Sequence, residues 1–131
     1  MNQKLIQNHE DWQVYQIAFE AAMQIFELSK KFPVEERYSL TDQVKRSSRS
    51  VCANLAEAWR KRSYKAAFIA KLSDSAAEAA ETQTWIAFAV RCNYLHSTTG
   101  TELTQTYNRV LGRLVNIINH PENWIVSNEK S

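Results

Sequence analysis

The sequence has 131 residues, of which 44% are hydrophobic and 11% aromatic, and its formal net charge is +2. This composition excludes a disordered or membrane-embedded chain and favours one soluble globular domain. There are only two glycines and two prolines, so turn signals are few and we expect long helices. No apolar run approaches eighteen residues and the N-terminus has no signal-peptide core, so we expect a cytoplasmic protein.

Apolar residues at helical spacing predict four amphipathic helices. The first ends before Pro33, and Ser39 is predicted to cap the second, with Asp42 in its first turn. The predicted bounds are residues 10–32, 40–61, 64–92 and 102–119, followed by a C-terminal tail at 121–131. Because the connections are short, we expect an all-α, antiparallel up-down-up-down four-helix bundle that forms a single domain over residues 1–131.

The first predicted helix carries two apolar stripes, which together cover about 200° where a bundle helix needs only about 100° to face its own core. One stripe contains Trp12, Tyr15, Phe19, Met23 and Phe26. We assign the second to an interface with another subunit, and it contains Val14, Ile17, Ala21, Ile25 and Leu28. The chain is therefore predicted to form a homo-oligomer. The alternative is a core helix that the bundle encloses more fully.

Positive charge is concentrated between Lys45 and Lys71, where eight basic residues stand against one acidic residue. The rest of the chain is acidic on balance, with eight basic and thirteen acidic residues. Arginine suits phosphate recognition, and such a cluster is typical of sequence-nonspecific contact with nucleic acid. The predicted nucleic-acid-binding residues are Arg46, Arg49, Arg60, Lys61, Arg62 and Lys65.

An acidic stripe on the third predicted helix, formed by Asp74, Glu78 and Glu81, offers a competing interpretation. These carboxylates could neutralise the arginines within a subunit or across an interface. They do not form a di-iron site, because such sites pair Glu with a His three residues on, and the three histidines lie at predicted helix ends or in loops.

Asn54 and Glu57 lie among small residues of the second predicted helix. Close packing there could hold the two polar groups in one specific hydrogen bond, so we predict a structural or interface role for the pair.

No catalytic motif or metal-ligand spacing is evident, so we expect neither an enzyme nor a cofactor. Cys52 and Cys92 are forty residues apart in sequence, on different predicted helices and too far apart for a disulfide, and we expect both to be reduced thiols.

Three motifs resemble those of the 23S rRNA-intervening sequence protein family. They are Phe32, Pro33, Glu36, Tyr38, Leu40 and Gln43; then Ser50, Val51, Asn54, Leu55, Ala56 and Glu57; then Glu81, Thr82 and Gln83. Cys52 and Ala58 stand where the family usually has Pro and Gly. The resemblance, which spans residues 10–118, implies a four-helix bundle that assembles as a homopentamer. It also implies similarity to the accessory protein of diversity-generating retroelements, which binds reverse transcriptase and nucleic acid.

Together these features predict a non-enzymatic oligomeric bundle that binds RNA, DNA or a ribonucleoprotein through the basic residues. The alternative is a protein-binding scaffold, such as a polymerase accessory subunit, that makes no direct contact with nucleic acid.

Overall fold

The computed structural model describes residues 6–126, so the predicted ends at 1–5 and 127–131 lie outside the described residues. Within that range the chain is all-α, with four helices and no strand. The helices are α1 (Gln13–Ser29), α2 (Leu40–Arg60), α3 (Lys65–Arg91) and α4 (Ser97–Asn119). Three short 3-10 helices lie at His9–Asp11, Val34–Glu36 and Pro121–Asn123. The predicted all-α class with four helices is therefore confirmed.

α1 and α4 begin at residues other than those predicted. A 3-10 helix occupies His9–Asp11, where the Asn8 side chain accepts from the Glu10 N–H, so α1 starts only at Gln13. α4 starts at Ser97, inside the segment expected to be a loop, because His96 Nδ1 accepts a hydrogen bond of 3.1 Å from the Thr98 N–H. Histidine is not among the residues preferred at helix N-termini, so the sequence did not indicate this start.

Glu36 caps the start of α2, in place of the predicted Ser39 side chain. One Glu36 oxygen accepts from the Ser39 hydroxyl and from the Leu40 N–H at 3.2 Å, and the other accepts from the Tyr94 hydroxyl at 3.0 Å. These hydrogen bonds, that from Ser39 first, lower the pKa of Glu36 below its usual value. Glu36 therefore joins the segment before α2 to the connection between α3 and α4.

The α2–α3 contact is lined by small polar side chains that let the helices approach closely. Ser47, Ser75 and Thr82 are fully buried. Thr82 Oγ1 lies 2.8 Å from Ser47 Oγ, and the Ser75 hydroxyl donates to the Val51 carbonyl at 2.9 Å. Each of these three hydroxyls thus has a partner, as burial in an apolar interior normally requires.

Aromatic side chains fill one end of the core. Trp12 packs against Trp59 and Trp124, with ring centroids 5.1 and 5.6 Å away, and stacks on Phe68. Trp124 follows the last 3-10 helix, and the nearby Val126 N–H donates to the Arg62 carbonyl at 3.0 Å. The segment after α4 is therefore packed onto the body of the fold at the turn between α2 and α3.

Candidate functional site

The basic residues of α2 lie on its outer face because the inner face is apolar. Val44, Val51 and Leu55 are buried in the core. Arg46, Arg49 and Arg60 occur on the opposite side of the helix and are exposed. Their exposure therefore follows from the helical spacing of the sequence. The partners of each charged side chain then decide which of them are free to bind a ligand.

Arg46 is partly neutralised by the third helix. Its guanidinium lies 3.2 Å from the Glu81 carboxylate and also donates to the Gln43 side chain at 2.9 Å. The same Glu81 oxygen accepts from the Trp85 indole N–H at 3.2 Å. The competing salt-bridge interpretation is therefore correct for this arginine.

Arg62 has a structural role. Its guanidinium stacks 3.5 Å above the centroid of the Trp59 ring, and its Nε donates to the Trp59 carbonyl at 2.9 Å. Partial burial, and then the charge of Arg60, lower the pKa of Arg62 below its usual value. Arg62 thus packs on Trp59, whereas its expected contact with nucleic acid stays a prediction.

The remaining predicted residues form the free basic surface, defined here as Arg49, Arg60, Lys61 and Lys65. All four are exposed, and none forms an ion pair with a carboxylate of residues 6–126. Ala53 and Ala56 lie between Arg49 and Arg60 on the same side of α2, and no large side chain separates the two arginines there. Eleven residues of helix correspond to roughly 16 Å, so the surface is long enough to contact several phosphates of one strand.

Asn54 and Glu57 do not bond to one another within the chain. The Asn54 amide donates to the carbonyl and hydroxyl of Ser50 at 3.0 and 3.2 Å. Glu57 is exposed and forms an ion pair of 2.8 Å with Lys71, which raises the pKa of that lysine. Within the described chain each group therefore has another partner, and the interface role expected for the pair stays a prediction. Glu57 is the one acidic residue between Lys45 and Lys71, and its charge is balanced by Lys71.

The α1 stripe that the sequence analysis assigned to a subunit interface is the more buried of the two stripes. Val14, Ala21 and Ile25 are buried in the core of the single chain, and Ile17 and Leu28 pack against it, so this stripe is not available to another subunit. The other stripe is exposed only in part, and its Tyr15 and Phe26 are half-buried. Phe19 and Met23 are 45% and 44% exposed, whereas Trp12 at its N-terminal end is buried.

Several basic residues near the start of α2 were not predicted as site residues. Lys45 lies 5.9 Å from the Phe26 ring centroid, and Lys30 and Arg37 line the same depression beside it. Lys45 contributes to the excess of basic residues in the sequence. Lys30 and Arg37 come close to Lys45 only because of the way the segment around Pro33 folds. Sequence spacing alone does not give that path.

The cysteines are free thiols in different environments. Cys52 is buried, and burial raises the pKa of its thiol to about 12, so it is not a nucleophile at neutral pH. Cys92 is exposed. Among residues 6–126, no group of three or more His, Cys, Asp or Glu side chains is placed to hold a metal ion. No helix in this part of the chain is both long and apolar enough to cross a membrane.

Comparisons with known proteins agree with the motifs. The family model described as "23S rRNA-intervening sequence protein" matches residues 10–116. A comparison with curated proteins gave no match. A crystal structure from Bacteroides thetaiotaomicron, of a protein of unknown function from the S23 ribosomal protein family, is 29% identical with a TM-score of 0.74. That similarity covers 82% of this chain and 96% of the other. The chain therefore belongs to the 23S rRNA-intervening sequence protein family.

Proposed function

We propose that this protein is a non-enzymatic, oligomeric helical bundle that binds RNA through the free basic surface of α2 and the α2–α3 turn. The observation that supports this function is that Arg49, Arg60, Lys61 and Lys65 are exposed and lack an acidic partner among residues 6–126. The nearby acids are already engaged, Glu57 with Lys71 and Glu81 with Arg46.

Such a surface attracts a polyanion mainly by releasing counterions from its phosphates. Each phosphate neutralised on a single strand contributes about −0.7 to the slope of log affinity against log salt concentration. Four free cations therefore predict a slope near −3 for one subunit if each contacts one phosphate. Contacts from flexible Lys and Arg side chains to phosphates carry no direct sequence information, so we expect little sequence preference.

The test is fluorescence anisotropy with a labelled single-stranded RNA over a series of salt concentrations. Replacing Arg49, Arg60, Lys61 and Lys65 by Gln is expected to weaken binding at least roughly 10-fold at low salt and to flatten the slope. A charge-matched control replaces Lys31, Arg91, Arg109 and Arg113 by Gln. Absence of binding by the native protein at low salt would favour the alternative scaffold that binds only proteins. An equal loss in both variants would mean that net charge, and not this surface, drives binding.

The helices of the proposed bundle run up-down-up-down. This order is supported by the four-residue turn between Arg60 and Lys65 and by the packing of α1 against both α2 and α4, of α2 against α3, and of α3 against α4. Short connections favour antiparallel neighbours.

The proposed assembly is a homopentamer in which the partly exposed stripe of α1 contacts a neighbouring subunit. It is supported by the exposure of Phe19 and Met23 and by the family resemblance. A ring would repeat the free basic surface in each subunit and strengthen weak phosphate contacts through avidity. Analytical ultracentrifugation tests it: Phe19→Glu with Met23→Glu is expected to yield monomers of unchanged helix content. A native protein that sediments as a 15.1 kDa monomer at micromolar concentration would contradict the assembly.

A further inference from the structure

A pocket of about 310 Å³ lies where the segment between α1 and α2 folds against both helices. Its apolar lining includes Phe26, Phe32 and Pro33, and its charged lining consists of Lys30, Arg37 and Lys45. No carboxylate lines it. An apolar surface beside several cations is the combination that a nucleotide requires, since a phosphate carries negative charge and its sugar or base presents apolar faces.

Three cations converge on one ring of this pocket. Lys30 Nζ, Arg49 Cζ and Lys45 Nζ lie 4.7, 5.8 and 5.9 Å from the Phe26 centroid. Cation–π attraction helps to hold such charges near the ring, but like charges gathered together repel one another. Of the three, Lys30 has an acidic partner, the exposed Glu27 at 3.2 Å, and the other two have none within residues 6–126. A bound anion would relieve the repulsion.

Thr41 supplies a second, independent observation. It lines the same pocket, and its hydroxyl oxygen is shielded from solvent without a hydrogen-bond partner among residues 6–126. A buried hydroxyl normally has a partner. Threonine in a helix has two accessible rotamers, so a rotation about χ1 would reorient the hydroxyl, and a ligand oxygen in the pocket would provide its partner.

We propose that this pocket binds the phosphate of a nucleotide, with the phosphate near Lys30, Arg37 and Lys45 and the sugar or base against Phe32 and Pro33. This inference rests on the proposed function, because the nucleotide is taken to be one unit of the bound RNA strand. Arg49 connects the two sites, since it lies beside the Phe26 ring and also belongs to the free basic surface.

Two measurements test the pocket. In the first, uridine monophosphate is titrated into the native protein while backbone amide shifts are followed by NMR. We expect shifts centred on Val34, Arg37 and Thr41 that are lost in Thr41→Val, a substitution that removes the hydroxyl and nearly preserves shape. In the second, RNA affinity is measured for Arg37→Gln with Lys45→Gln. Losing two phosphate contacts is expected to lower that affinity by roughly 10-fold at low salt and to reduce the magnitude of the salt slope.

A matched control replaces Lys31 and Arg91, two exposed cations that do not line the pocket, by Gln. Absence of shifts with uridine monophosphate, or unchanged RNA affinity in Arg37→Gln with Lys45→Gln, would overturn the pocket. The proposed function would still stand if the free basic surface variant lost RNA binding. Conversely, the protein could show shifts at the pocket with uridine monophosphate and yet bind no RNA. That result would overturn the proposed function, and the ligand of the pocket would then be a free nucleotide and not a unit of an RNA strand.

Discussion

The Arg46 guanidinium lies 3.2 Å from the Glu81 carboxylate, across the contact between α2 and α3. One arginine of the basic segment is therefore already matched with the acidic stripe of α3, whereas Arg49, three residues further along α2, has no such partner among residues 6–126. The salt-bridge interpretation thus holds for Arg46, and nucleic-acid binding by Arg49 stays a proposal. Arg46 is partly neutralised by α3, whereas Arg49 and Arg60 on the same face of α2 have no acidic partner among residues 6–126.

Glu81→Gln should therefore raise RNA affinity. The substitution removes the acid that competes with phosphate for Arg46, while the Gln oxygen can still accept from the Trp85 indole N–H. The free energy of unfolding should change by less than about 1 kcal/mol, because partly exposed ion pairs contribute little. Anisotropy and urea denaturation measure the two quantities. Affinity unchanged or lowered in Glu81→Gln would show that Arg46 does not reach the RNA.

Ser47 should tolerate loss of its hydroxyl better than an increase in size. Ser47→Ala removes one partner of Thr82, but Thr82 Oγ1 also lies 2.8 Å from the Glu78 carbonyl. We expect a loss of about 1 kcal/mol for Ser47→Ala. Ser47→Leu would add bulk to a fully buried site between two close helices and should cost about 1–3 kcal/mol or more. Urea denaturation of both variants measures which substitution lowers the free energy of unfolding more. Equal losses of stability would mean that Ser47 does not serve to let the two helices approach closely.

The stability of the fold should fall in acid partly through Glu36. Its folded-state pKa is lowered by hydrogen bonds from Ser39, the Leu40 N–H and Tyr94, so the ionised form is favoured in the folded state. Its contribution is therefore present above the ordinary pKa of 4.5 and is lost as the pH falls through the lower folded-state value. Glu36→Gln should lower the melting temperature at neutral pH and flatten its decline in acid.

The control for this prediction is Glu35→Gln, a neighbouring exposed carboxyl. It should leave the melting temperature and its pH profile close to those of the native protein. Parallel acid profiles for Glu36→Gln and the native protein would show that the cap hydrogen bonds form equally well with a neutral side chain.

Much of the core followed from helical periodicity. Leu103, Tyr107, Val110, Leu114 and Ile117 are buried on α4 as their spacing predicts, since one face of an amphipathic helix must turn inward. Periodicity could not show which of the two apolar stripes of α1 is the more buried. Both are apolar, and their burial depends on where α2 and α4 pack, which is a property of the whole fold.

The candidate site was less accessible to sequence reasoning. The charges of the side chains and the outward face of α2 were predictable, but the residues with which each charged side chain pairs were not. Arg46 and Arg62 look alike in the sequence, yet one meets Glu81 and the other stacks on Trp59. The pocket beside Phe26 depends further on the path around Pro33, which brings Arg37 toward Lys45 from a different segment.

The two glycines of α4 should respond to alanine in opposite directions. A Cβ at Gly100 would overlap the Val90 Cγ2 of α3, whereas a Cβ at Gly112 meets nothing within 4 Å. Gly112→Ala should therefore stabilise the protein by about 0.5–1 kcal/mol, because alanine favours helix over the unfolded chain.

Gly100→Ala should instead destabilise the protein by about 1–3 kcal/mol, because the clash outweighs the same gain in helix propensity. Val90 is β-branched and has few alternative rotamers in a helix, so it cannot move aside without loss of packing. Adding Val90→Ala should restore part of the stability in the Gly100→Ala background, since it removes the atom that the new methyl group meets. Thermal denaturation of the native protein, Gly100→Ala, Val90→Ala and the double variant completes the cycle, and Gly112→Ala serves as the control for helix propensity. Stabilisation by Gly100→Ala, or no coupling between residues 90 and 100, would show that α3 and α4 pack less closely at this position than the structure indicates.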